Sequence, residues 1–357
     1  MAVGATQAVA GPVLVPLVTA VLSLVLGFSR RLQAGVSVAG AVAYLVAVAL
    51  LFDRVATGGT LVYAVSGWRP PFGIVLVADP LATFMLALAA VVALAAVLFS
   101  VRFVDAFGQG LTYHPLFHFM LLGVSGSFLT GDLFNLFVWF EVMLMASYVL
   151  VVFYSGAEHT RAALQYVVLN LVGSAVMLLA VGGLYAATGT LNMADMARRL
   201  ADPVAYGVDP VPVLGLSGLL FAVFALKAGV VPFHFWVPPA YRAAPAPVAA
   251  MLAGVVKKVG VYAVIRLYFT VFAAASLPVS LPGVSGDSLL DFYGPVLLAT
   301  AAASILLGGL GAVSRDDVED LLAYSSIGQV GFIVLPLAVA ATVTAPAVRT
   351  VAIAAAL

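Results

Sequence analysis

Long apolar segments constrain this chain more than any other feature of its sequence. A helix needs about 20 apolar residues to cross the hydrocarbon core of a bilayer, and ten segments are near or above that length. They are 11–28, 33–52, 75–101, 115–131, 132–154, 162–187, 212–237, 246–272, 290–313 and 320–342. An eleventh apolar segment begins after Pro346 and runs to Leu357, so we expect the protein to continue beyond it. The pattern predicts an all-α polytopic membrane protein with about ten complete transmembrane helices and the start of another.

The composition supports a protein embedded in a lipid bilayer. Of the 357 residues, 64% are hydrophobic and 8% are charged, whereas about a quarter of the residues of a soluble domain are charged. The net charge is zero, which argues against nucleic acid as a partner. Cysteine is absent, which excludes disulfides, thiolate metal sites and iron–sulfur ligation. We therefore expect no cofactor and no metal site in this chain, and any redox chemistry would belong to another subunit.

Four charged residues fall near the middle of predicted spans. Glu141 lies in the fifth span, Lys227 in the seventh, and Lys257 and Lys258 in the eighth. With a rise of about 1.5 Å per residue, these side chains lie at similar depths near the bilayer midplane. A charge at that depth costs about 2.5–3.5 kcal/mol on insertion scales. Chance is a poor explanation for charged residues on three separate helices.

Two interpretations of these charges remain open. A glutamate and a lysine can form a purely structural pair that fixes helix packing. Here one acid faces up to three bases, so a single ion pair would leave at least one lysine without an acidic partner. A proton relay explains this surplus of titratable groups better. Burial lowers the pKa of a lysine while a nearby carboxylate raises it, so a lysine between those influences can exchange a proton near neutral pH. The relay predicted from the sequence contains Glu141, Lys227 and one lysine of the eighth span.

The segment FALKAGVVPFHFWVPPAY predicts a broken helix. Pro232 cannot donate a backbone hydrogen bond and crowds the preceding turn, so the helix should end just after Lys227. Pro238 and Pro239 should then prevent a clean restart. Discontinuous helices at the midplane are a common way for transporters to build ion sites. His234 follows the break and would either extend the relay or serve as a hydrogen-bonded packing residue.

Other polar residues of the spans have several interpretations. His114 and His118 have the spacing of a metal pair without a third ligand nearby, and we interpret both as interfacial. Asn170 and Ser174 would bind water along a path or join helices by hydrogen bonds. A single helical step of about 100° separates the two adjacent lysines of the eighth span, so only one of them should face the helix that carries Lys227.

A short sequence echo predicts an internal repeat. Asp132-Leu133 precedes Glu141 by nine residues, and Asp320-Leu321 precedes Gln329 by nine residues. The fifth and tenth spans would then be equivalent members of two five-helix repeats, which must be inverted because five is odd.

Three segments resemble the large antiporter-like membrane subunits shared by Mrp-type cation/proton antiporters, respiratory complex I and membrane-bound hydrogenases. They are GDLFNLFVWFEVMLMASYVLV, LKAGVVPFHFWVPPAYRAAPAPVAAMLAGVVKKVGVYAVIRL and DVEDLLAYSSIGQVGFIVL. FNLFVWFEVM and TGTLNMADMA most resemble the D-type subunit of the Mrp antiporter. By this resemblance Glu141 matches the key glutamate of the fifth helix, Lys227 the lysine of the broken seventh helix, and Lys258 the central lysine of the eighth. Lys257 has no counterpart in the motif, which leaves its role open.

The resemblance also implies a domain organisation and partners. The family fold has fourteen helices with inverted repeats of helices 4–8 and 9–13. On this chain, helices 1–3 would occupy 1–110, the first repeat 111–273, and an incomplete second repeat 274–357. Family members act inside complexes with several smaller membrane subunits, so we expect such subunits as partners.

Three functions follow from these observations. The leading hypothesis is a proton-translocating subunit of a multisubunit antiporter that exchanges protons for Na+ across a prokaryotic cell membrane. The alternative is the same chemistry in a redox-driven complex, either NADH:quinone oxidoreductase or a membrane-bound hydrogenase. The third is an intramembrane enzyme acting on lipid or polyprenyl phosphate, for which the acidic run 315–320 is the only candidate. We favour a solvated loop for that run.

Overall fold

The protein is described here by a computed structural model covering residues 6–68, 70–104, 112–209, 211–281 and 284–357. Helices dominate these residues. The first five are α1 (Gly11–Val25), α2 (Arg30–Gly58), α3 (Pro80–Phe103), α4 (Tyr113–Leu129) and α5 (Leu133–Val151). The next five are α6 (Ala157–Thr188), α7 (Met193–Ala201), α8 (Pro203–Tyr206), α9 (Val211–Ala228) and α10 (Val237–Ala243). The last five are α11 (Ala246–Met251), α12 (Lys257–Arg266), α13 (Leu289–Val313), α14 (Val318–Thr342) and α15 (Pro346–Ala355).

Two π-helical segments lie on either side of α12. Leu252–Val256 joins α11 to α12, and Leu267–Val271 follows α12. Together these elements make one helical span, Ala246–Ala274, in place of the uniform helix expected from the sequence. Single π turns occur most often at functional sites, and the first of these precedes Lys257 directly.

Nine helical segments of the described residues are long and apolar enough to cross a membrane. The remaining predicted span, 115–131, forms α4, which has 17 residues. Apolar side chains stay exposed on outer faces, as at Leu310, which is 70% exposed. Such a surface is suited to lipid and not to water. A helical membrane protein is thereby confirmed.

The predicted start of the third span was wrong. Residues Val75–Ala78 form strand β2, which pairs antiparallel with β1, Leu61–Ala64. Helix α3 begins only at Pro80, after Asp79 caps it by accepting a hydrogen bond from the backbone of Ala82 at 2.8 Å. Aspartate at the N-cap and proline at the first helical position are a strong start signal. A second hairpin pairs β3 (Ser276–Leu281) with β4 (Val284–Ser288).

The chain divides into two compact units. One unit comprises the described residues of Met1–Val167 together with Ala240–Val256, and within it α4 packs against α1 and α5. The other comprises Val168–Pro239 and Lys257–Leu357, and within it α9 packs against α12 and α13 against α14. Small residues allow these helices to approach closely. A Cβ atom at Gly331 of α14, for example, would lie 2.8 Å from the carbonyl oxygen of Ala301.

Candidate functional site

The predicted break in the seventh span is confirmed. Helix α9 ends at Ala228, one residue after Lys227. Gly229 follows with φ of +67°, and two backbone hydrogen bonds close the end, Val230 to Ala225 at 3.2 Å and Gly229 to Leu226 at 3.1 Å. This pair of bonds around a left-handed glycine is the Schellman motif. Gly229 therefore ends the helix before Pro232 is reached.

Side chains satisfy backbone groups that the break leaves without helical partners. The hydroxyl of Ser304 on α13 accepts a hydrogen bond from the backbone N–H of Val231 at 2.9 Å. The indole N–H of Trp236 donates to the carbonyl oxygen of Leu226 at 2.8 Å. Irregular backbone at membrane depth is tolerated only where such partners exist. The break is thus a built feature of the fold.

The expectation that Pro238 and Pro239 prevent a restart was wrong. A 3-10 turn forms at His234–Trp236, and α10 begins at Val237. Both prolines then fall in the first turn of α10, where a backbone N–H has no helical acceptor and proline is tolerated. The helix is interrupted where the sequence predicts it, but a new helix begins after a short gap.

Lys227 lies in the last turn of α9 and is 3% exposed. Its Nζ donates to the hydroxyl of Ser174 on α6 at 3.4 Å. Two glycines bring neighbouring helices to this turn, because a Cβ at Gly173 would lie 2.8 Å from Leu226 Cδ2 and one at Gly260 would lie 2.6 Å from the backbone nitrogen of Ala228. The lysine is therefore enclosed by α6 and α12. Of the two roles considered for Ser174, a hydrogen bond to a neighbouring helix is the one observed.

The two adjacent lysines of the eighth span have different surroundings. Lys257 is fully buried, and its Nζ donates to both the carbonyl oxygen and the hydroxyl of Ser326 on α14, each at 2.6 Å. Lys258 is half-buried. The backbone of α12 thus directs Lys257 towards α14, and Lys258 keeps the different direction that helical geometry requires. Lys227, Lys257 and Lys258 are the only lysines in the sequence.

Glu141 occupies the middle of α5 and is half-buried. Asp132 sets the start of that helix by accepting a hydrogen bond from the backbone of Asn135 at 2.8 Å. The contacts described above join Lys227 to Ser174 and Lys257 to Ser326. Pairing of Glu141 with Lys227, and of Lys227 with Lys258, stays a prediction.

His234 is half-buried beside the break, and its ring stacks on Phe235 with 4.5 Å between centroids. Its Nδ1 is buried and has no hydrogen-bond partner among the described residues. A role in the relay stays a prediction.

The interfacial interpretation of His114 and His118 stays a prediction, but the structure shows that neither side chain lies on the protein surface. Both side chains are fully buried, and both contact the hydroxyl of Ser37 on α2. The partner lies 77 and 81 residues earlier in the chain, so local sequence could not indicate it. Tyr113 packs edge-on against the ring of His114, and Phe117 against that of His118.

Comparison with known proteins decides the family. Residues 130–354 match the family model described as NADH:quinone oxidoreductase/Mrp antiporter, TM. This chain belongs to that family. The match covers α5, the broken α9 and the lysine-bearing α12, which are the elements that carry Glu141, Lys227 and Lys258.

The relatives of this chain include subunits of antiporters and subunits of NADH-quinone oxidoreductases. The D-type subunit of the Na(+)/H(+) antiporter of Alkalihalophilus pseudofirmus is 36% identical over 329 residues, covering 92% of this chain and 63% of the relative. The N-type subunit of the NADH-quinone oxidoreductase of Desulforudis audaxviator is 38% identical over 339 residues, covering 91% of this chain and 64% of the relative. The chain therefore spans less than two thirds of the length of these relatives.

A solved structure of the same family confirms the fold. A chain in the structure of the Mrp complex from Dietzia sp. DQ12-45-1b superposes with a TM-score of 0.84 and 29% sequence identity. The superposition covers 99% of this chain and 62% of that chain. The predicted resemblance to antiporter-like membrane subunits is confirmed.

Proposed function

We propose that this chain is part of a proton-translocating membrane subunit of a multisubunit Na+/H+ antiporter in a prokaryotic cell membrane. Its partners would be the other membrane subunits of that complex, and Glu141, Lys227 and Lys258 would form the proton relay. The observation that carries the proposal is the placement of Lys227, buried in the last turn of a helix that is broken inside the membrane. A buried amine beside interrupted backbone is the kind of site at which transporters bind ions.

The superposition on a chain of the Mrp complex, together with the name of one relative, favours exchange over redox-driven pumping. The relative from Alkalihalophilus pseudofirmus is named as the D-type subunit of a Na(+)/H(+) antiporter. The second candidate function is a non-redox, proton-pumping subunit of NADH:quinone oxidoreductase, which the relative from Desulforudis audaxviator favours. Both functions would use the same lysines and glutamate, since the buried groups handle protons and leave the energy source to other subunits.

The chemistry asked of Lys227 is the gain and loss of one proton. A carboxylate near a buried lysine favours the ammonium form, and removal of that carboxylate favours the amine. If Glu141 or Lys258 changes its own protonation, the proton affinity of Lys227 changes with it. Protons would then move stepwise between groups on separate helices.

The test uses everted membrane vesicles that hold the full-length subunit in its native complex. Sodium is added to vesicles with a preformed pH gradient, and the collapse of the gradient is followed with a pH-sensitive dye. We expect collapse in wild type and none in Lys227→Ala. Lys227→Arg should also be inactive although it keeps the charge, because a guanidinium does not release its proton.

Glu141→Gln should also lose exchange, because it removes the proposed carboxylate of the relay, and Glu158→Gln is its matched acid control. Glu158 is an exposed residue whose carboxylate lies 3.7 Å from the guanidinium of Arg242, and its loss should leave exchange unchanged. Full exchange in Lys227→Arg would show that Lys227 serves as a fixed charge and does not release its proton. Wild-type vesicles that ignore sodium but acidify with NADH would favour the redox-driven alternative.

A further inference from the structure

The Ser37 hydroxyl lies between two histidine rings inside the first unit. Its oxygen is 3.0 Å from Nδ1 of His114 and 2.9 Å from Nε2 of His118. All three side chains are fully buried. The two histidines are one turn apart on α4, and the serine reaches both from α2. This cluster lies outside the glutamate–lysine relay and outside the residues matched by the family model.

The other ring nitrogen of each histidine, which faces away from Ser37, has no such contact. Nε2 of His114 and Nδ1 of His118 are both buried and have no hydrogen-bond partner among the described residues. A buried polar atom left without a partner is destabilising, because it gives up its hydrogen bond to water and gains none in the protein. A serine that only joined two helices would need one histidine, and the second ring adds another buried nitrogen without a partner. A chain of groups open at both ends is the arrangement that passes a proton along.

A second hydrogen-bonded pair lies further along α2 and α4, and the cluster and this pair are together called the column. Seven residues further on each helix, the hydroxyl of Tyr44 lies 2.8 Å from the hydroxyl of Ser125. Because the same spacing separates the contacts on both helices, α2 and α4 run parallel. The second pair therefore lies about 10 Å deeper than the first. Tyr44 and Ser125 are also fully buried.

The inner end of the column lies at the depth of Glu141. Helix α5 runs antiparallel to α4, because a Cβ on Gly123 would lie 2.7 Å from the Cα of Met143 and one on Gly126 would contact the indole of Trp139. Ser125 is between those two glycines, so it is level with the part of α5 that holds Glu141. All of these residues belong to the same unit.

We propose that His114, Ser37 and His118 form a proton-transfer unit in an access path that leads from the start of α4 towards the depth of Glu141. This inference rests on the proposed function. Nε2 of His114 accepts a proton while its Nδ1 gives one to the Ser37 oxygen. The Ser37 hydroxyl gives its own hydrogen to Nε2 of His118, and Nδ1 of His118 releases one inward. One proton enters, one leaves, and each ring exchanges its tautomer.

The test compares variants in the same vesicle assay, at matched amounts of assembled complex. His118→Gln keeps a donor and an acceptor for Ser37 but has no second nitrogen that can exchange a proton. Ser37→Ala removes the bridge, and Ser37→Thr keeps the hydroxyl. Ser127→Ala is the control, because Ser127 is a buried serine of α4 whose hydroxyl, among the described residues, donates to its own helix at the Gly123 carbonyl.

We expect His118→Gln and Ser37→Ala to slow sodium-driven exchange at least about tenfold, a smaller effect than the roughly 10²–10⁴-fold that a positioned acid or base contributes to a chemical step. The sodium concentration for half-maximal rate should not change. Ser37→Thr should retain most of the rate and Ser127→Ala all of it.

Wild-type exchange in His118→Gln and Ser37→Ala, with exchange lost in Lys227→Ala, would overturn this inference and leave the proposed function standing. Equal loss in Ser127→Ala would also overturn it, since the effect would then be one of packing. Wild-type vesicles without sodium-driven exchange would overturn the proposed function itself and this assignment with it.

Discussion

Gly260 on α12 lies directly against the last turn of α9, where a Cβ would come within 2.6 Å of the backbone nitrogen of Ala228 and 2.7 Å of the carbonyl oxygen of Phe224. Both contacts are to backbone, which cannot rotate away as a side chain can. The absence of a side chain at residue 260 is therefore what lets α12 approach the turn that holds Lys227.

Replacing Gly260 with alanine should separate the two helices. Overpacking of this kind typically costs about 1–3 kcal/mol, and we expect lower thermal stability of the purified complex together with slower exchange. Gly215 on α9 is the control, because a Cβ there meets nothing within 4 Å. Gly215→Ala should be neutral or slightly stabilising in the same melting experiment. Equal melting temperatures for the two variants would contradict the close approach.

Gly229→Ala should destabilise the end of α9 by more than the cost of placing alanine in a left-handed backbone conformation. Gly229 has φ of +67°, and a Cβ there would lie 2.6 Å from Val237 Cγ2. Gly207 has φ of +62° with nothing within 4 Å, so Gly207→Ala reports only the backbone cost, about 1–2 kcal/mol. We expect the melting temperature to fall further for Gly229→Ala, with loss of exchange in that variant only. Similar exchange rates in both would mean that the shape of the break is not needed for transport.

The adjacent lysines should separate in function. We expect Lys258→Met to abolish exchange, since the family resemblance assigns the central lysine to Lys258, and Lys257→Met to retain it. The Lys257 amine donates to the uncharged carbonyl and hydroxyl of Ser326, so an apolar side chain of similar length in its place leaves no buried charge without a partner. Vesicle assays at equal complex content measure both. The reverse result would move the relay to Lys257 and α14.

The loop helix α7 should depend on the ionised form of Asp195. Burial raises the pKa of Asp195. Hydrogen bonds from Thr190 and Arg198 and the positive charges of Arg199 and Arg198 lower it by a larger amount. The pKa of Asp195 therefore lies below its ordinary value. A lowered pKa means that the stabilisation is present above about pH 4 and is lost as pH falls through the folded-state pKa. Asp195→Asn should speed hydrogen exchange of α7 equally at pH 7 and pH 6. If the difference in α7 hydrogen exchange between Asp195→Asn and wild type changed from pH 7 to pH 6, this assignment would be contradicted.

The loop ion pair and the broken helix could be predicted because their signals are local. The Asp195 carboxylate lies 3.0 Å from Nε of Arg199, as the i,i+4 spacing indicates. The end of α9 had a second local signal in Gly229, a glycine followed by proline three residues later. Ser37 and Ser326 were missed, because each meets its partner across at least 69 residues of chain. No period or motif connects residues so far apart.

The sequence echo and the helix starts align α5 with α14 differently. Asp132 is the N-cap of α5, but the N-cap of α14 is Asp317, and Asp320 lies inside its first turn. Counted from the caps, Glu141 corresponds to Ser326 and not to Gln329. Only the hydrogen bonds of the helix starts distinguish two aspartates that lie three residues apart. The inverted repeat itself stays a prediction.

The serine between the two buried histidines has a single hydrogen, so at any moment it donates to one ring and accepts from the other. A proton that passes inverts this polarity. The hydroxyl must then rotate, and both rings must turn over, before another proton can follow in the same direction. Tyr113 packs edge-on against His114 at 5.3 Å between centroids and Phe117 against His118 at 5.9 Å, so these aromatic neighbours would limit how often the column resets.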